Sequence, residues 1–215
     1  MKDSKIDSEL INNIESLMDS LKVIEYDEED VESNTSFLKF KVGHYKLNNG
    51  ATIRRESVVR QVGSANATAI FAITKEKKIL LVIQPRTPLP TPRKIDIELP
   101  AGYIEKGESV AEAARRELLE ETGYVPDNVV IIDGYYPSLG YSGEKISIAL
   151  ATNCQKVSTQ NLDEDEYVHY IEVSIKEFKY LLDNNYILDA TARLAYYRTL
   201  EYLQNNSLLE IVGGE

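Results

Sequence analysis

Two apolar runs stand almost back to back in this chain: "NATAIFAIT" at 66–74 and "KILLVIQPR" at 78–86, with the charged turn "KEKK" between them. Each has strand length and is apolar at nearly every position, so neither has a face to give to solvent. Strands of this kind must be covered on both sides. The rest of the chain supplies more strands and the helices to cover them. "SFLKFKVGHYKL" and "ATIRRESVVRQV" alternate apolar and polar residues around "NNG" at 48–50, a hairpin signal. "IDIELPAG" reads as a short strand ending at Gly102, after a proline-rich loop at 87–94 that no central strand can contain. "NVVIIDGYYPS", "EKISIALAT" and the end of "NLDEDEYVHYIEVS" are further strands. "SIKEFKYLLDNN" and "DATARLAYYRTLEYLQNN" are helices. Residues 6–24 carry Ile6, Leu10, Ile14, Leu17 and Leu21 at helical spacing, and the acidic stretch "EYDEEDVES" after them reads as a loop. The expected fold is α+β: a sandwich with a mixed sheet, helices outside, and antiparallel amino-terminal strands.

Composition narrows what such a fold can do. The 215 residues carry a net charge of −11, so the general field repels nucleic acid rather than attracting it. Cys154 is the only cysteine and there are two histidines, which leaves no material for an intrachain disulfide or a Cys/His zinc site. The start "MKDSKIDSEL" lacks the charge and apolar pattern of a secretion signal, and "ILLVI" is far too short to span a bilayer. The expectation is a soluble, cytoplasmic protein that acts on a small molecule. A polyanionic substrate then needs positive charge delivered locally, by a metal or by placed arginines.

The stretch "AGYIEKGESVAEAARRELLEETGY" at 101–124 has the means to hold such a metal. Ser109 with Glu112 forms a capping box, and Gly123 is a helix stop. On the helix between them Glu117, Glu120 and Glu121 are three and four residues apart and share a face, while Ala111, Ala114 and Leu118 form another. Like charges at this spacing repel by about 0.2–0.5 kcal/mol a pair. The strip is either a solvated face or an oxygen-rich bed for Mg²⁺, an ion that commonly bridges to substrate phosphates; spacing alone leaves both open.

The fixed positions around the strip are more specific. Gly102, five residues, Glu108, seven residues, Arg116-Glu117-Leu118, one residue, Glu120-Glu121, one residue, Gly123 is a pattern that resembles the Nudix box. Tyr124 is the one departure, where that family prefers an aliphatic residue. "ELPAG" before the box, "QPR" at 84–86, "PSLGYSGE" at 137–144 and "DEDEYV" at 163–168 resemble the family's ADP-ribose pyrophosphatase branch, and the strands from residue 37 resemble its accessory sheet. The likeness covers residues 37 to 205. It divides the chain into 1–60, a helix with accessory, dimer-forming strands, and 61–215, the hydrolase domain.

The resemblance implies Mg²⁺-dependent hydrolysis of ADP-ribose to AMP and ribose 5-phosphate by a homodimer, with Mn²⁺ able to substitute. It makes Glu117 and Glu121 the principal metal ligands, with Glu120 and the carbonyl of Ala101 beside them. Arg116 orients a glutamate, and Gly102 permits a tight turn. Glu164 is the base that activates water, with Glu166 as runner-up. Arg86 contacts phosphate or ribose. Arg54 and Arg55 either reach substrate or form surface ion pairs. Glu98 either hydrogen-bonds substrate or braces Arg116, and Glu144 is a further group near the metals. Tyr103, Tyr135, Tyr136 and Tyr141 are either adenine stackers or packing. The alternatives are a pyrophosphatase for another nucleotide sugar and a sensor that binds ADP-ribose without cutting it.

Overall fold

The computed structural model describes residues 16, 17, 19, 20, 23–31, 37–61, 64–90, 92, 94–162, 164 and 166–213. Most of the helix expected over 6–24 lies outside these residues; 16, 17, 19 and 20 are helical, and a strand begins at 23. The chain forms two compact units, 1–61 with 138–143, and 62–137 with 144–215.

The first unit is an antiparallel sheet of β1 (Val23–Val31), β2 (Leu38–Leu47) and β3 (Thr52–Arg60), in that order. The β2–β3 hairpin turns through Gly50, whose φ of 87° suits glycine. The acidic stretch expected to be a loop is β1. Its carboxylates are held by the lysines of β2: Asp30 with Lys39 at 2.6 Å, Glu28 with Lys41 at 3.2 Å and Glu25 with Lys46 at 3.3 Å. An edge strand whose side chains are exposed needs no apolar alternation, so acidic charge dominates its middle. Residues 138–143 belong to this unit, where the Val58 N–H donates to the Tyr141 carbonyl at 2.8 Å.

The second unit contains β4 (Ala67–Thr74), β5 (Ile79–Pro85), β6 (Ile95–Glu98), β7 (Ala101–Tyr103), α1 (Val110–Thr122), β8 (Tyr124–Val125), β9 (Asn128–Tyr135), β10 (Ile146–Lys156), β11 (His169–Val173), α2 (Ile175–Asp183), α3 (Ala190–Asn205) and a final 3₁₀ turn, Leu209–Val212. Its eight strands make one mixed sheet. β10 runs parallel to β4 and pairs antiparallel with β8 and β9; β5 pairs antiparallel with β6 and β11. The expected α+β class and mixed sheet are borne out.

β4 and β5 are the buried strands their composition requires. Ala69, Phe71, Ile73, Ile79 and Leu81 pack under α2 and α3, against Phe178, Leu182, Ala195 and Tyr196. Ile70, Ala72 and Leu80 face the other way, with Ala114 and Leu118 of α1. The period of two sends alternate residues to opposite layers. "IDIELPAG" is two strands instead of one: β6 pairs with β5, and β7 with β4. Pro100 lies at the break, with no N–H for a ladder but a carbonyl that accepts from Ile70 at 2.8 Å. β8 and the 3₁₀ turn are too short for any periodicity to announce them.

Phe178 is fully buried and stacks on Phe71 with ring centres 5.7 Å apart. Phe178→Ala is expected to cost about 3–5 kcal/mol, read from the shift of the urea midpoint at constant slope.

Candidate active site

Helix α1 begins and ends where its sequence directs. The Ser109 hydroxyl accepts from the Glu112 N–H, and the Glu112 carboxylate accepts from the Ser109 N–H at 2.8 Å. Gly123 closes the helix at φ 77°, and a Cβ there would overlap the Ser158 carbonyl as well. The last carbonyls of a helix have no partners within it. Here they are met by the segment after β10: Asn161 N–H donates to Glu120 O at 2.9 Å, the Gln160 side chain to Glu121 O at 2.5 Å, and Val157 N–H to Gly123 O at 2.9 Å.

The buried side of α1 packs through Ala113, Ala114 and Leu118 and carries Glu121 with them, 5% exposed. Glu121 accepts from the Ala101 N–H at 3.0 Å. Burial first, and the charges of Glu117, Glu166 and Glu98 after it, push its carboxyl up to about 8 against the pull of the Ala101 hydrogen bond. Glu117 is also raised, by burial first and by Glu120 and Glu166 after, against the pull of Arg116. Its carboxylate lies against the backbone of Gly102, where any Cβ would overlap it. Gly102 is therefore a strand residue of β7, paired with Thr68, that clears space for a carboxylate; the expectation of a turn glycine is corrected.

Arg116 holds this group together. Its Nε and Nη2 grip both oxygens of Glu108 at 3.0 Å each. Nη1 reaches Glu117 at 2.7 Å and Glu120 at 3.1 Å, and Nη2 also reaches the Tyr103 carbonyl at 2.9 Å. Its pKa is raised, by the hydrogen bond to Glu108 above all. Three glutamates, Glu108, Glu117 and Glu120, are thus bonded to one guanidinium. Glu108, a fixed member of the box, is the acceptor that aims Arg116, a role its spacing did not reveal.

The outer residues sort as follows. Arg86 forms a two-pronged pair with Glu98, Nε and Nη2 each at 2.6 Å, and Gln84 adds a bond to Glu98 at 3.3 Å. Glu98 thus braces Arg86 and not Arg116. Glu166 and Glu164 are both exposed, and the charge of Glu166 acts on both Glu117 and Glu121. Glu144 is half-buried at the start of the path into β10. Arg54 and Arg55 are exposed in the three-stranded unit: Arg54 pairs with Glu56 at 2.7 Å, and Arg55 donates to the Arg54 carbonyl at 2.9 Å. Tyr135 is bound to Thr191, Tyr103 is half-buried, and Tyr136 and Tyr141 are exposed. Gln160, which joins α1 to the acidic segment, carries no motif and was not legible in the sequence.

Glu117, Glu120, Glu121 and the Ala101 carbonyl offer only oxygen donors; the charges of Glu120 and Glu166 raise the half-buried Glu117, and those of Glu117 and Glu166 raise the buried Glu121. That donor set fits a hard divalent cation such as Mg²⁺. Among the described residues, no three acidic, His or Cys side chains are already gathered around one point. The cation that Glu117 and Glu120 engage here is the Arg116 guanidinium.

The family model described as NUDIX domain matches residues 63–193. The chain is 36% identical over 166 residues to the ADP-ribose pyrophosphatase of Bacillus subtilis (strain 168), covering 77% of this chain and 84% of that protein. It is 37% identical over 174 residues to the methanol dehydrogenase activator of Bacillus methanolicus, covering 80% and 88%. A crystal structure of an ADP compounds hydrolase superposes with a TM-score of 0.70 at 21% identity, over 88% of this chain and 97% of that one, a likeness of fold.

A raised carboxyl pKa makes a signed prediction. The folded value of Glu121 lies above its ordinary 4.5, so its contribution favours the fold below about 4.5 and is lost as pH rises through about 8. In EDTA at pH 9, Glu121→Gln is expected to raise Tm by several degrees, on the order of 2–4 °C per kcal/mol for a chain of this size. At the same pH, Mg²⁺ is expected to raise the wild-type Tm and leave that of the variant unmoved. Thermal scans of both proteins with and without Mg²⁺ check it.

Proposed function

We propose that this chain, which belongs to the Nudix family, hydrolyses the diphosphate of ADP-ribose or a closely similar ADP-sugar, giving AMP and ribose 5-phosphate from ADP-ribose. One observation carries the reading. The half-buried Glu117 carboxylate lies against the backbone of Gly102, in the space its missing side chain leaves open, and the buried Glu121 carboxylate accepts from the Ala101 N–H beside it. Such a group favours a divalent cation, and a diphosphate is the substrate that such a cation serves. The substrate class is supported by the similarity to the pyrophosphatase of Bacillus subtilis.

Glu117 and Glu121 would hold Mg²⁺, or Mn²⁺ in its place, with Glu120 and the Ala101 carbonyl completing the protein's share. The bound ion supplies neutralisation of phosphate charge and a water of lowered pKa. Arg116, anchored on Glu108, keeps the Glu117 and Glu120 carboxylates in fixed orientations. Arg86 is set by Glu98 through Nε and Nη2, which leaves Nη1 to meet a phosphate or ribose oxygen. An acidic side chain from the segment 164–166 takes the proton of the attacking water. The reach of Glu166's charge to Glu117 and Glu121 favours Glu166 over Glu164. The water oxygen bonds to phosphorus as the bridging P–O bond breaks, and the displaced phosphate leaves as the second product.

The three-stranded unit is the proposed pairing surface of a homodimer. Tyr26, Val31, Phe37 and Phe40 are large apolar residues left exposed on it. The acidic net charge and the small-molecule site fit a cytoplasmic enzyme that does not act on nucleic acid. Among the described residues, no helix is long and apolar enough to cross a membrane.

The test is incubation with Mg²⁺ and a panel of nucleoside diphosphate compounds, followed by product chromatography. AMP from ADP-ribose is expected; turnover of another nucleotide sugar alone would move the substrate, and turnover of none would favour a sensor. Glu121→Gln is expected to cut kcat by several orders of magnitude. Glu166→Gln is expected to lose about 10²–10⁴-fold, as for loss of a general base, and Glu164→Gln less. The reverse order would return the base to Glu164.

A further inference from the structure

We propose that Gln160 is a positioning residue: it clasps the acidic segment that carries Glu164 and Glu166 to the helix that carries Glu117 and Glu121. The Gln160 amide nitrogen has two N–H donors. They go to carbonyls far apart in the chain, Glu121 O at 2.5 Å and Val168 O at 3.0 Å. The first is an orphan carbonyl at the end of α1; the second lies where the acidic segment rejoins the sheet. One side chain therefore closes the segment on itself and fastens it to the backbone of a buried glutamate.

Neighbouring contacts hold the same join. Asn161 N–H bonds Glu120 O at 2.9 Å, one residue from the clasp. At the root of the segment, the Lys156 ammonium bonds the Tyr170 hydroxyl. Tyr124, the one departure from the box pattern, packs edge-on against Tyr170 with ring centres 5.9 Å apart and donates to Glu172 at 2.6 Å. An aliphatic residue at 124 has no such donor. Both ends of the acidic segment are thus tied down, and Val168 is buried. Glu164 and Glu166 are themselves exposed, and the charge of Glu166 reaches Glu117 and Glu121, so the hold on the segment's two ends bears on where that charge stands.

The consequence rests on the function proposed above: a proton acceptor must stand within about 3 Å of the water it serves, and displacements near 1 Å cost on the order of 10²-fold. Gln160→Met keeps length and removes both donors. Gln160→Glu keeps shape but brings a carboxylate against two carbonyls. For both variants, kcat on ADP-ribose at saturating Mg²⁺ is expected to fall roughly ten- to a hundredfold, with KM and the Mg²⁺ dependence within about threefold. Amide hydrogen exchange is expected to quicken at 161–168 and to stay unchanged in β4 and the first turns of α1. Wild-type turnover in Gln160→Met, or unchanged exchange at 161–168, overturns the proposal. So does a uniform rise in exchange through α1 and β4, which would make Gln160 a general stabiliser. If the wild-type chain leaves ADP-ribose uncut, the functional reading fails, and the exchange experiment alone decides the clasp.

Discussion

The Arg116 guanidinium donates all its N–H groups to acceptors that would otherwise repel one another or stand alone: Glu108, Glu117, Glu120 and the Tyr103 carbonyl. Without that cation, the face of α1 presents carboxylates at helical spacing with nothing to offset them. Glu108 lies eight residues before Arg116, on the loop that leads into the helix, so the same contact ties the loop after β7 to α1. The orientation of Glu117 and the course of the loop from Tyr103 to Ser109 are consequences of one side chain's geometry.

Arg116 does not reach Glu121. That carboxylate is accommodated by the sheet: β7 pairs with β4 in the register Ala101 with Ala69 and Gly102 with Thr68, which presents the Ala101 N–H to Glu121 and leaves the Gly102 position open to Glu117. β4 can hold this register because it is buried on both faces, between α1 on one side and α2 and α3 on the other. The core thus sets the height of the backbone on which the charged cluster rests. The cluster is costly in isolation, since burial raises both carboxyls toward the protonated form, and a bound divalent cation would reverse that penalty. Carboxyls pushed toward the protonated form by burial and by neighbouring charge are the kind of group that functional sites use.

Much of this was legible in the sequence because it is local. Ser109, Glu112 and Gly123 set the bounds of α1, and the unbroken apolar runs of β4 and β5 announce their burial. What could not be seen depends on distant segments meeting. β1 looks like a loop until the lysines of β2 are placed beside its acids. Gly102 looks like a turn until the Glu117 carboxylate is found against it. Glu98 offered two partners by position, and its partner is a third, Arg86, brought to it by the β5–β6 pairing. Gln160 has no motif, because its two acceptors are backbone carbonyls that any sequence would provide.

The central claim is that Glu117, Glu121 and the Ala101 carbonyl together bind a divalent cation. Anomalous diffraction from crystals soaked in Mn²⁺ tests it most directly. The account predicts a peak bonded to both carboxylates and to that carbonyl, at about 2.0–2.3 Å, with Arg116 still anchored on Glu108. A peak held only by other side chains, or none at all while Arg116 stays locked on Glu117, would contradict it.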